Sequence, residues 1–316
     1  MVPSIEKNEK EGSMELRVLR YFLGVAREGS MTGAAQRLHV TQPTLSRQLQ
    51  DLEEELGQKL FLRGSHSVTL TREGMLLRKR AEEILEMVQK TKSEFDSMGE
   101  TVAGDVHVGG GETEAMRRIA RVIREIQSEY PGIRFHLYSG NAEDVMERLD
   151  KGMLDFGVLI QPVKIEKYDF VNLPDKDVWG IVMRKDFPLS RKKRIRKEDL
   201  FGVPLICSRQ VVQRFSQKNA WSDWFGGEGT QWNFVATYNL IYNAALMVEE
   251  GVGWAVALDK LLNFSGSSEL CFRPLSPRLE SGLNLVWKKN QLFSPAAELF
   301  LDRIRRRFDR EVPVRR

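Results

Sequence analysis

Between Thr41 and Leu56 the chain reads TQPTLSRQLQDLEEEL, and most of its reactive groups hydrogen-bond and do not catalyse. Amides (Gln42, Gln48, Gln50), hydroxyls (Thr44, Ser46) and the Arg47 guanidinium are crowded into little more than two turns. Amides and Arg can read base edges, whereas hydroxyls and a helix N-terminus suit phosphates. Leu45, Leu49, Leu52 and Leu56 recur at spacings of four, three and four, which predicts one helix with a core face opposite the polar one. Thr41 suits its N-cap, and Pro43 falls in the first turn, where a missing N–H costs no helical bond. Glu53, Glu54 and Glu55 gather at the far end, which is expected to point away from a nucleic acid.

Such a face needs a support. Upstream, Thr32 to Leu38 (TGAAQRL) predicts a short helix in which Ala34 and Ala35 allow close packing, and His-Val-Thr supplies a three-residue turn. Two helices joined this way form a helix-turn-helix, the alternative being an ordinary helical hairpin with a solvated face. Leu16, Leu19, Phe22, Leu23 and Ala26 give the stripe of a preceding scaffold helix, and Phe61 to Leu70 fits two short strands and a turn. There Arg63, Ser65 and His66 would meet the DNA backbone or minor groove.

From Met14 to Gly74 the chain resembles the winged helix-turn-helix of the LysR-type transcriptional regulators. The matching positions are Leu16, Phe22, Ala34, Ala35, Leu38, Gln42, Pro43, Ser46, Leu52, Glu53, Leu56, Gly57, Leu60, Phe61, Arg63, Leu70, Thr71 and Gly74. The resemblance implies a DNA-contacting set of Thr32, Gln42, Pro43, Thr44, Ser46, Arg47, Gln48, Arg63, Ser65 and His66, with Gln42 and Pro43 at base edges and Ser46 and Arg47 mainly at phosphates. His66 departs from the Arg the family often has. The implied partners are double-stranded promoter DNA, a second copy of the chain as homodimer or tetramer, and RNA polymerase.

Residues 72–98 are almost free of breakers, and Leu77, Ala81, Ile84, Val88, Thr91, Phe95 and Met98 alternate spacings of four and three. That is a heptad seam, with packing against its own domain as the alternative. The resemblance implies a linker helix that pairs two subunits through Leu77, Ala81, Ile84, Val88 and Phe95. After GETVAG the rhythm changes. Strands at 105–109, 133–138 and 156–160 alternate with helices at 114–130 and 142–151, which predicts a parallel α/β sheet. A second set begins at 177–183 and 203–207, continues through segments at 213–225, 232–237, 240–250, 253–258 and 270–274, and ends with a strand at 283–288 and a helix at 295–308.

These sets resemble, more loosely, the effector-binding half of the same family, which is similar to type II periplasmic binding proteins; LDKGMLDFGV and EEGVGWAVAL carry the likeness best. The expected α/β multidomain chain thus has a flexible extension (1–13), a winged helix-turn-helix (14–71), a linker helix (72–98) and a regulatory domain (104–310). The last divides into subdomain I (104–161 and 275–310) and subdomain II (173–272), with crossings near 161–173 and 272–277. Ligands in open α/β sheets sit at strand C-termini against helix N-termini. That selects Gly110, Gly111, Thr113, Ser139, Asn141, Gln161, Ser208, Arg209, Thr237 and Asn239 as effector contacts, with satisfied turn or cap residues as the alternative. Arg209 is the expected anion clamp, and the glycines of GGGET are expected to let a ligand or the opposing subdomain approach. Glu112 and Glu114 flank Thr113 and would repel an anion there. Trp221, Trp224 and Trp232 are expected in the core or cleft wall.

The 316 residues exceed one ordinary core, and a net charge of +4 permits nucleic-acid binding without requiring it. RKKRIRK (191–197) and the C-terminal arginines read as solvated surface. The N-terminal residues lack the apolar core of a signal peptide, so a cytoplasmic protein is expected. The two cysteines, Cys207 and Cys271, sit in apolar runs and are expected in strand cores. A cysteine-based redox-sensing regulator is the alternative, and a small-molecule-binding protein without promoter-specific function is a further one. The four histidines lack ligand spacing, so no metal and no cofactor beyond a small-molecule effector is expected. No nucleophile, base and orienting group converge, so no enzyme is expected.

Overall fold

The computed structural model describes residues 14–64, 67–96, 102–213, 220–226 and 232–308. It forms two compact units, Met1–Lys92 and Ser93–Arg316. Among the described residues no helix is long and apolar enough to cross a membrane. The expected extension 1–13 lies outside the described residues, as does Met98.

The first unit contains α1 (Leu16–Glu28), α2 (Met31–Arg37), α3 (Gln42–Leu56), the hairpin β1 (Phe61–Arg63) and β2 (Val68–Leu70), and most of α4 (Arg72–Asp96). Ser30 caps α2 by accepting from Gly33 N at 3.3 Å, while Gly57, at φ 62°, turns the chain off α3 in a conformation that favours glycine. Leu19, Phe22, Leu45, Leu49 and Leu52 are buried together, with Phe22 and Phe61 rings 5.2 Å apart. Leu56 departs from the expected core face and is 39% exposed. The last turn of α3 runs past the core, and Glu53 takes the buried position instead.

Thr71 caps α4, its hydroxyl accepting from Gly74 N at 2.9 Å and donating to Lys59 O at 2.7 Å. A Cβ at Gly74 would lie 2.2 Å from Leu60 O, so only glycine permits this approach of helix to chain. Two of the residues expected at an intersubunit seam, Leu77 and Ala81, are instead buried in the unit's own core. With α4 starting one residue after β2, its first turns must close that core before they can meet anything else. Ile84 and Val88 are half-buried and Thr91 is exposed; Met75, Leu76 and Phe95 are exposed apolar residues of the helix.

The second unit is built on a ten-stranded sheet in the order β4-β3-β5-β12-β6-β10-β8-β9, with β11 on β6 and β7 on β11. Its first lobe comprises β3 (Gly104–Gly110), α5 (Met116–Glu129), β4 (Ile133–Ser139), α6 (Ala142–Asp150), β5 (Phe156–Ile160) and the start of β6 (Tyr168–Arg184). The second lobe holds the rest of β6, then β7 (Ile195–Arg196), β8 (Leu205–Ser208), α7 (Arg209–Gln213), α8 (Ala220–Phe225), β9 (Phe234–Tyr238), α9 (Ile241–Glu249), β10 (Trp254–Leu258) and β11 (Leu270–Ser276). The chain returns to the first lobe through β12 (Glu280–Lys288) and α10 (Pro295–Phe308).

The sheet is mixed where a parallel one was expected, because the returning β12 runs antiparallel to both β5 and β6. The first crossing also differs: β6 passes without a break from β12 to pairing with β10 and β11, so strand begins at Tyr168, inside the expected 161–173 connection. The expected 213–225 segment is instead α7 and α8, and residues 214–219 between them lie outside the described set. Each lobe has its own core, Phe156 and Phe300 in the first and Trp221, Phe225 and Val256 in the second.

Candidate nucleic-acid interface and ligand cleft

On α3, Thr41 caps the helix by accepting from Thr44 N at 3.4 Å, with the two hydroxyls 2.8 Å apart. Thr41, Gln42, Pro43, Thr44 and Arg47 are exposed, Ser46 and Gln48 are half-buried, and Thr32 at the start of α2 is exposed. The face is held by Leu45 and Leu49, both fully buried, so the polar groups are presented by a fixed helix. Arg63 lies in β1 with its side chain outside the described residues, as are Ser65 and His66 entirely.

Glu53 does not belong to an exposed acidic end. It is 4% exposed and its Oε1 accepts from Leu60 N (2.8 Å) and Phe61 N (3.2 Å), while Oε2 accepts from Lys59 at 2.8 Å. Against the desolvation of burial, these hydrogen bonds hold its carboxyl below the usual glutamate range. The carboxylate thus ties α3 to the first wing strand.

In the second unit a cavity of about 80 Å³ lies between the lobes. Gly111, Glu112, Asn141, Gln161 and Pro162 reach it from the first lobe or the crossing; Trp179, Ser208, Gln210, Trp221, Tyr238, Asn239 and Ile241 from the second. Small-molecule sites usually enclose about 300–1,000 Å³, so this cavity is small for one. Of the expected contacts, Gly111, Asn141, Gln161, Ser208 and Asn239 line the cavity, whereas Gly110, Thr113 and Ser139 line an adjoining outer groove. Arg209 and Thr237 are exposed and line neither, which corrects the expected anion clamp. Arg209 opens α7 on its outer side, and the next residue, Gln210, faces the cleft instead.

Several polar groups here already have partners. Gln161 donates to Asn284 Oδ1 at 2.5 Å and accepts from Val163 N at 2.7 Å, and Asn141 caps α6 by accepting from Asp144 N at 2.9 Å. Asn239 Oδ1 accepts from Leu240 N at 3.0 Å. The GGGET glycines serve packing within the first lobe: a Cβ at Gly109 would lie 2.4 Å from Leu154, and one at Gly110 3.2 Å from Val158. Trp179 and Trp221 meet edge to face at 4.3 Å, with Trp179 Nε1 donating to Ser281 at 2.8 Å. Trp224 and Trp232 bond to Pro277 O and Phe225 O and belong to the core.

Gln210, Trp179 and Tyr238 are among the cavity residues that sequence reasoning missed, and Glu112, noted there only as repelling an anion, proves to bridge the lobes. Glu112 Oε2 accepts from Ile241 N at 2.5 Å, so a first-lobe carboxylate caps α9, whose own N-cap position is Leu240 and carries no capping side chain. Conversely Gln210, its amide turned to suit the N–H groups that open α6, accepts from Ala142 N (2.7 Å) and Glu143 N (3.3 Å). A hydrophobic residue at an N-cap was the one available signal.

Behind the loop, Thr113 is buried and hydrogen-bonds to Asp177, which is 2% exposed and has an unpartnered Oδ2. Desolvation raises the Asp177 carboxyl from 3.8 to about 6, partly opposed by the Thr113 hydrogen bond. A carboxyl raised on folding contributes stability below its unfolded value and loses it as pH rises through about 6. The interval corresponds to about 3 kcal/mol at 1.4 kcal/mol per pH unit. Asp177→Asn is therefore expected to raise the melting temperature of the second unit at pH 7.5 by about 6 °C or more and to leave it unchanged near pH 4, as calorimetry would read. Equal effects at both pH values would contradict this.

A winged helix-turn-helix unit with a two-lobed α/β unit defines a class of ligand-responsive DNA-binding regulator. Residues 16–75 match the bacterial regulatory helix-turn-helix protein, lysR family, and residues 99–309 match the LysR substrate binding domain. The chain belongs to the LysR family of transcriptional regulators. It is 29% identical over 289 residues to the Hca operon transcriptional activator HcaR of Escherichia coli strain K12, covering 91% of this chain and 96% of that one. It is 34% identical over 199 residues to the HTH-type transcriptional regulator BsdA of Bacillus subtilis strain 168, covering 63% and 68%. Its fold is similar to that of full-length CbnR complexed with its target DNA, with a TM-score of 0.69 at 22% identity, covering 93% of this chain and 99% of that one.

Proposed function

We propose that this regulator binds promoter DNA as a homo-oligomer through Gln42, Pro43, Thr44, Ser46, Arg47 and Gln48, and that a small molecule in the interlobe cleft adjusts that binding. The observation that carries the reading is the exposed amide, hydroxyl and guanidinium face of α3 held over the buried Leu45, Leu49 and Leu52. Such a helix offers donors and acceptors to a major groove at its N-terminal end. Phe95 and Leu76, both more than half exposed, are the apolar groups on α4 that a second copy would cover. Ligand binding would act by changing lobe closure, with RNA polymerase as the final recipient of the change.

Selection from a random duplex pool tests this reading. Sequences retained by the full chain should converge on a pseudo-palindrome with half-sites about one helical turn apart. A retained pool as random as the input would contradict it.

The thiol-switch alternative has less support. Burial pushes the thiols of both Cys207 and Cys271 upward, which disfavours the reactive thiolate. Protection of selected DNA should therefore be identical under peroxide and under dithiothreitol; a footprint that changes with oxidant and reverts on reduction would favour the switch.

A further inference from the structure

Two of the helix N-termini at the cleft, those of α9 and α6, are already occupied, each by the opposite lobe. Glu112 sits at the start of α9 and Gln210 at the start of α6. Helix N-termini are the places where an open α/β cleft ordinarily receives an anion, because unpaired N–H groups and the helix dipole favour negative charge. In this chain the protein's own oxygens fill those of α9 and α6. Glu112 is also the single charged group among the described residues lining the cavity; Arg209 faces solvent, and Lys260 lines the adjoining outer groove. A carboxylate ligand entering here would meet a like charge, and among the described residues lining the cavity there is no cation to pair with it.

The remaining walls are aromatic and amide: Trp179, Trp221 and Tyr238, with Gln161 and Ser208. They suit a flat apolar body bearing a hydrogen-bond donor. We propose that Glu112 determines the specificity of the cleft, excluding anions and selecting a ligand without negative charge whose amine or hydroxyl donates to its carboxylate. This rests on the reading of the cleft as the effector site.

Three probes of one shape and different charge test it: benzylamine, benzyl alcohol and benzoate, titrated into the full chain at pH 7.5 and followed by tryptophan fluorescence, which Trp179 and Trp221 report, and by calorimetry. The wild type should bind benzylamine or benzyl alcohol at least tenfold more tightly than benzoate. Glu112→Ala, which uncovers α9, should bring benzoate to the tighter side of the series. Glu112→Gln keeps an acceptor for Ile241 N without the charge and should reduce the preference for benzylamine over benzoate while preserving the fold, read by circular dichroism. Benzoate binding the wild type as tightly as the other two, or a ratio of dissociation constants unmoved by both substitutions, including no response to any probe, would overturn the proposal. Wild-type binding to selected and random duplexes, measured on the same preparation, keeps the two readings separate: its failure would sink the DNA-binding reading whatever the probe ratios show.

Discussion

Replacing Glu53 by Ala is expected to destabilise the first unit by about 3 kcal/mol, because two backbone N–H groups, Leu60 and Phe61, would lose a buried acceptor at once. For a unit of this size that moves its melting transition down by more than about 10 °C. The chain has two compact units, so calorimetry of the full protein should show the first transition shifting and the second fixed. Glu53→Gln keeps an acceptor and should recover part of the loss. The carboxyl is lowered on folding, so the wild-type contribution is present above 4.5 and is lost as pH falls through the lowered folded value, whereas the Gln variant lacks that dependence. An unshifted first transition in Glu53→Ala would refute the role given to this carboxylate.

The second large effect concerns DNA. Gln42 and Arg47 both stand exposed on α3, but the family resemblance gives them different work, base reading and phosphate positioning. Arg47→Ala should weaken binding to selected and random duplexes alike and reduce the salt dependence by about one phosphate contact. Gln42→Ala should cost about 1–3 kcal/mol, or roughly 5- to 150-fold, on the selected sequence while leaving random DNA little changed. Fluorescence anisotropy at one fixed salt concentration decides between them. Equal losses on both duplexes for both variants would remove the division of labour.

What the sequence disclosed follows a physical pattern. Leu45, Leu49 and Leu52 are legible because helical periodicity is local, and the Thr41 cap with Pro43 in the first turn is legible for the same reason. Glu53 was not, since a glutamate in a polar run looks solvated until Leu60 and Phe61 fold back upon it. The α4 seam illustrates the limit of periodicity: spacing identifies an apolar face without saying what covers it, and Leu77 and Ala81 turn out to be covered by their own unit. In the cleft, loop positions such as Asn141, Gln161 and Ser208 were found because strand ends converge there. Glu112 and Ile241 are 129 residues apart, and no local rule pairs them. The bond between the Thr113 hydroxyl and Asp177 on β6 was equally beyond local rules, the two being far apart in the chain.

The most direct measurement is a footprint of the full chain on the DNA immediately upstream of its own coding region, at fixed salt. A protected pseudo-palindrome that a Gln42→Ala protein fails to protect would be the expected result. Protection no stronger than on random DNA, at any salt where binding is measurable, would contradict the assignment of α3 as the reading helix.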